Sequence, residues 1–228
     1  MTAVSEAIRP IRSWLREPTA VKWLNAELYD WIYHRELELI KDAEVSEYSD
    51  TSITTVAGTR SYAEPSRTFR INRVFYNNKQ LIRKSWRWFQ GVTGNSGLGV
   101  TTRGTPDYYF RHAATLFCHD IPDAAQTLML HTIRLPVLAT TDAGVLTVPD
   151  EYIPAIVFGA AADACRKANN PEFMQKAVQL EAKWAELHAA AVHQFRQKEY
   201  DEDFPESDCP DLDGGALEFG SIFGIPLR

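Results

Sequence analysis

Residues 171–195 read PEFMQKAVQLEAKWAELHAAAVHQF, and Phe173, Ala177, Leu180, Trp184, Leu187 and Ala191 follow spacings of four, three, four, three and four. That period lays one apolar seam along a long helix, and one extra step carries it to Phe195. Asn169-Asn170-Pro171 breaks the preceding pattern and starts this helix. Upstream, Val148-Pro149-Asp150 opens another helix, in which Pro154 is tolerable only within the first turn. Ala155, Gly159, Ala160, Ala161, Ala162 and Ala164 are small, so a neighbouring helix can approach closely.

The opposite end of the chain supplies helices to match. Ile8, Ile11, Trp14 and Leu15 make a short stripe that ends near Pro18. Thr19 is placed to cap a second helix, with Leu24, Leu28, Trp31, Ile32 and Leu39 along one side. Glu36, Glu38 and Lys41 fall among its more exposed positions. The expected fold is α+β: a four-helix bundle formed by N- and C-terminal helices, an inserted antiparallel β domain and an extended C-terminal tail. The boundaries are 1–48, 49–147, 148–198 and 199–228.

Between the helical ends the period changes. Asp50 to Val56 is rich in Thr and β-branched residues and ends at Gly58, a strand signal. Thr68 to Tyr76 alternates apolar and polar residues, and Asn77-Asn78-Lys79 is a turn from which Gln80 to Arg83 returns as a hairpin arm. Ser85 caps a short turn through Trp86, Trp88 and Phe89. The glycines between Gly91 and Gly104 mark a loop. Tyr108 to Phe110, Thr115 to His119 and Thr127 to Leu135 read as strands, with Ile121-Pro122-Asp123 as the turn between the last two.

Composition narrows the class. The chain has 228 residues, 45% apolar and 24% charged, with enough aromatic residues for a sizeable core. The longest uncharged stretches are too short to span a bilayer, and the first residues carry Glu6, Arg9 and Arg12 with no apolar run behind them. Cys118, Cys165 and Cys209 are odd in number and unrelated in spacing, which suits free thiols in a reducing compartment.

No catalytic, cofactor or metal constellation emerges. Adjacent strand residues point to opposite faces, so Cys118 and His119 do not converge on one metal ion. The glycine run Gly91, Gly94, Gly97 opens no helix and lacks a following Lys-Ser. Trp86 and Trp88, flanked by Arg83, Lys84 and Arg87, suit either a stacking platform for bases or sugars or, more ordinarily, a hydrophobic anchor at a domain edge.

Charge is strongly segregated within the net of −6. Between Arg60 and Gln90 stand Arg60, Arg67, Arg70, Arg73, Lys79, Arg83, Lys84 and Arg87, against the single acid Glu64. From Glu199 onward the sign reverses: Asp201, Glu202, Asp203, Glu206, Asp208, Asp211 and Asp213 follow with no Lys or Arg between them. Such asymmetry suits self-assembly or a path for a polyanion. Past the acids, Leu217, Phe219, Phe223, Ile225 and Leu227 recur at a period of two, with Ile222 beside them. This apolar tail either adds as a strand to a partner's sheet edge or folds back on its own domain.

Several short strings stand in an order that resembles the head-to-tail adaptor (portal adaptor, connector or tail tubular-like) proteins of tailed bacteriophages. They are Trp23-Leu24-Asn25-Ala26-Glu27-Leu28, Gly104-Thr105-Pro106-Asp107-Tyr108-Tyr109, Ile121-Pro122-Asp123, Ile133-Arg134-Leu135-Pro136, Leu146-Thr147-Val148-Pro149-Asp150-Glu151-Tyr152 and the alanine-rich helix with Gly159-Ala160. The resemblance covers most of residues 8–190. It implies a non-enzymatic virion protein at the head–tail junction, assembled in the host cytoplasm without a membrane anchor. It implies a ring, commonly twelve-fold, of copies under the portal protein, passing double-stranded DNA non-specifically and offering a surface to tail or nozzle proteins. It also implies that the C-terminal segment, here Leu217 to Leu227, docks on the portal. Competing readings are a tail completion or terminator ring protein and, from another class, a cell-wall glycan-binding or hydrolysing module.

Overall fold

The computed structural model describes residues 2–17, 19–88 and 102–201, with side chains through residue 195. The fold is α+β. Helices α1 (Val4–Leu15) and α2 (Asn25–Ala43) precede the strands, and α3 (Ile153–Lys167) and α4 (Pro171–Asp201) follow them. A 3-10 turn at Asp150–Tyr152 leads into α3 and leaves Pro154 in the first turn, where its missing N–H costs nothing. The small residues of α3 put it at the centre: Ala155, Ala160, Ala161, Ala162, Ala164 and Cys165 are buried, and α1, α2 and α4 all pack against it.

Three helical expectations are corrected. Thr19 caps nothing; α2 starts at Asn25. The Glu17 carboxylate accepts hydrogen bonds from the N–H groups of Val21 (2.6 Å), Lys22 (2.6 Å) and Trp23 (3.3 Å), winding the connection into a turn. Leu24 thereby lies outside the helix stripe, 55% exposed, and its N–H donates to Glu27 (3.2 Å). On α4, Ala177, Leu180, Trp184 and Ala191 are buried but Leu187 is exposed. His188 takes its place, its ring 5.1 Å from that of Trp184 and its Nε2 3.1 Å from Asp42 Oδ2 on α2. Glu36 is the third correction. It is 2% exposed, because its Oε1 accepts the backbone N–H groups of Thr147 and Val148, which have no strand or helix to bond to.

The inserted region forms two four-stranded sheets and one two-stranded ladder. The strands are β1 (Glu47–Thr54), β2 (Ser61–Ala63), β3 (Thr68–Tyr76), β4 (Lys79–Gln80), β5 (Ile82–Arg83), β6 (Arg103–Gly104), β7 (Tyr108–His112), β8 (Thr115–His119), β9 (Ile121–Pro122) and β10 (Thr127–Arg134). The first sheet runs β1-β10-β3-β4, all antiparallel, and the second runs β2-β8-β7-β5. Ile71, Val74, Tyr76, Leu128 and Leu130 of the first face Tyr109, Leu116 and Cys118 of the second across one apolar core. The helical core is separate and reaches the first sheet through Ile133.

Two details depart from the expected antiparallel insert. The arm expected over Gln80 to Arg83 pairs with β3 for two residues only. At buried Leu81 the chain crosses to the second sheet, where β5 runs parallel to β7. Ile121–Pro122, expected as a turn, is a strand parallel to β6.

Candidate interaction surfaces

Alternation along β7 and β8 builds an aromatic face. Tyr108, Phe110 and His112 share one side of β7, and the antiparallel register sets them opposite His119, Phe117 and Thr115 of β8. Phe110 and Phe117 stack with centroids 4.6 Å apart, while Tyr109, Leu116 and Cys118 point the other way into the inter-sheet core. Residues 86–88 are helical and lie over this face, with the Trp88 N–H donating to Ser85 Oγ (3.2 Å). The Trp86 ring rests 5.2 Å from Phe110 and stacks on His112 at 5.3 Å; Trp88 lies 5.0 Å from Tyr108 and 5.6 Å from His119. Trp86 is nevertheless 36% exposed. Lys84 Nζ stands over both Trp88 (5.8 Å) and Tyr108 (5.6 Å).

The basic residues of 60–87 stand in several different settings. Arg70 pairs with Glu44 (2.6 Å) and Lys79 with Asp107 (2.6 Å). Arg60 is half-buried, and burial lowers its pKa against the opposing pull of Asp120. Arg67 is exposed and donates to the Leu135 carbonyl (3.4 Å). Arg73 lies opposite His131 in the first sheet, lining an open hollow with Glu47, Ser49 and Asn72. Arg83 is exposed at the edge of the second sheet, its partner in the ladder being Tyr109. Lys84 stands over the Trp88 ring, and the exposed Arg87 lies between the two tryptophans in the chain. Glu64, the lone acid of that stretch, is bound by Arg111 (2.7 and 2.9 Å).

Inside the helical layer a second polar cluster appears that the sequence did not reveal. Arg35 donates to Asp163 (2.8 and 2.9 Å) and Glu181 (2.9 and 3.3 Å), stands 3.3 Å from Glu38, and lies 5.1 Å over the Trp184 ring. Burial works against its charge, but Asp163, Glu181 and Glu38 outweigh it and the guanidinium pKa rises. Gly159 makes room: a Cβ there would lie 2.8 Å from Arg35 Cδ.

Cys118 is a core thiol whose pKa burial pushes up to about 12, and His119 faces the other way, so the adjacent pair does not converge. Among the described residues no three His, Cys, Asp or Glu side chains are grouped to hold a metal, and no helix is long and apolar enough to cross a membrane. Phe89, the loop residues 89–101, the acids Glu202, Asp203, Glu206, Asp208, Asp211 and Asp213, and the tail Leu217, Phe219, Ile222, Phe223, Ile225 and Leu227 lie outside the described residues; Asp201 is the last residue of α4. The aromatic face itself was legible in part. Trp86 and Trp88 drew notice, whereas Tyr108, Phe110, Phe117 and His119 are singled out only by their common parity on two paired strands.

The chain belongs to the SU10 adaptor protein family, whose profile matches residues 2–204. It is therefore a phage adaptor protein, a structural component of the virion, as its resemblance to head-to-tail adaptors implied. A search of curated proteins found no match.

Proposed function

We propose that copies of this chain assemble as a ring, twelve-fold in the commonest arrangement of such adaptors, beneath the portal protein. The ring extends the DNA channel and presents an attachment surface to tail or nozzle proteins. The observation that carries this reading is the family match over residues 2–204. In this arrangement the four helices act as one bundle, the β sandwich is a unit inserted into it, and residues 199–228 are the extension that leaves it. A ring needs heterologous contacts, one patch meeting a different one, and the segregated charge of this chain supplies unlike surfaces. DNA passes without sticking, because the net charge is −6 and several cations are held in pairs of their own. Each phosphate neutralised by a cation would slow its release.

The apolar tail, Leu217, Phe219, Ile222, Phe223, Ile225 and Leu227, is the portal-docking element, and the acidic segment is its spacer. Co-expression with the portal protein of the same genome, comparing full-length chain with one ending at Asp213, tests both. Capture of the portal by the full-length chain alone is the expected result. A portal that stays unbound with either form moves the reading to a tail completion ring.

A further inference from the structure

We infer that the outer face of the second sheet receives the acidic stretch following α4 of a second copy of this chain. The inference rests on the ring reading above and assigns one of its contacts.

The face has a definite chemistry. Phe110 and Phe117 form its floor, Trp86 lies over Phe110, Trp88 lies beside Tyr108 and His119, and Ile82, 39% exposed, borders Tyr108 in the next strand. Lys84 and Arg87 are its cations, and Arg87 ion-pairs with no carboxylate among the described residues. An occupant must therefore combine carboxylate or phosphate with apolar surface. Duplex DNA meets only half of that requirement: its bases are stacked, so it offers phosphates to the cations and nothing to the exposed indole. The stretch Glu202-Asp203-Phe204-Pro205-Glu206-Ser207-Asp208 meets both, with four carboxylates around a phenylalanine and a proline.

Position favours a second copy over the same chain. Among the residues whose side chains are described, Ala191 is the last buried one on α4. The helix nevertheless continues to Asp201, roughly 15 Å further at the helical rise. A ring contact requires two different, complementary patches on each subunit, and an acidic, phenylalanine-bearing stretch and a basic, aromatic face are such a pair.

Cross-linking with full-length chains tests this. One chain carries T115C with C209S; the other keeps its native Cys209, Cys118 and Cys165 being buried. Thr115 shares the aromatic side of β8, so a bismaleimide added to the mixture links tail to face only between copies. The expected result is a product joining the thiol introduced at position 115 to Cys209 of the other copy, identified by mass spectrometry. It falls at least tenfold when the face copy also carries K84E and R87E, and it returns when the tail copy carries E202K, D203K and E206K. Recovery in the doubly reversed pair shows that the K84E/R87E chain is folded. No inter-chain product at any protein concentration, or a yield indifferent to charge reversal, overturns the inference. Duplex DNA that abolishes the product by binding at Lys84 and Arg87 overturns it too, in favour of nucleic acid. If rings of the K84E/R87E chain still form on the portal, this contact is wrong while the adaptor reading stands; if neither chain engages the portal, the adaptor reading fails on its own.

Discussion

Glu36 and Arg35 are neighbours on α2, and each is buried for a different reason. Glu36 holds the N–H groups of Thr147 and Val148, so it pins the segment leading to α3. Burial raises its pKa from 4.5 to about 7, and those N–H bonds only partly oppose the rise. The folded chain thus binds a proton more tightly than the unfolded one. Stability is greatest below the unfolded value, declines as pH rises from about 4.5 to about 7, and levels off above that. The full span corresponds to about 3 kcal/mol. Glu36→Gln should flatten this decline in urea-unfolding midpoints measured from pH 5 to 8; a wild-type slope in the variant would contradict the assignment. Arg35 is fixed by three carboxylates and an indole, and Arg35→Ala should cost about 2 kcal/mol through lost charge-assisted hydrogen bonds and packing on Trp184, since Arg166 still pairs with Asp163 and Glu181. Gly159→Ala should destabilise as well, although alanine is the better helix former, because the new Cβ displaces Arg35. In the Arg35→Ala background that penalty should vanish, and a double-mutant cycle of thermal unfolding reads the coupling directly. Helical spacing had assigned Glu36 to solvent, because periodicity counts a carboxylate as a surface residue. Its partners lie more than a hundred residues away and are backbone, which leaves no mark on a side-chain pattern.

Elements long enough to repeat their period were legible. Thr68 to Tyr76 was expected as a strand from its alternation and is β3, and Pro154 falls in the first turn of α3 as the proline rule requires. Two-residue strands have no period to read, so in the sequence the passage from β4 to β5 reads as one hairpin arm. Leu81 marks the crossing. Its N–H donates to the Val74 carbonyl of the first sheet (2.8 Å), the next N–H, that of Ile82, donates to Asp107 beside the second (2.9 Å), and its side chain is buried between them. Leu81→Ala should therefore cost about 2–5 kcal/mol. Amide exchange should accelerate in β3 and β7 together; a change confined to one sheet would show that Leu81 does not tie the two. The aromatic face was only half legible for a similar reason. Two nearby tryptophans are conspicuous in a sequence, but the face they cover arises from pairing β7 with β8 in one particular register.

At the scale of the whole molecule, α4 runs to Asp201 and the family match to residue 204. If the tail acts only between molecules, as proposed, truncation after Asp213 should leave the thermal unfolding midpoint of the isolated chain within about 2 °C of full length, the range of a change of about 0.5 kcal/mol. Function should respond differently, because the tail is proposed to act only between molecules. The order of helices, then strands, then helices is the most legible feature of the described chain. How copies meet in the proposed ring is the least legible, since such a contact needs two surfaces that no local sequence period links.

The central claim is tested most directly by electron microscopy of the full-length chain purified with the portal protein of its own genome. The account predicts a closed ring of this chain stacked coaxially on the portal, with the C-terminal segment reaching into it and the ring absent when the chain ends at Asp213. A bare portal beside unassembled full-length chain, or a ring that instead caps the tail tube, would contradict it.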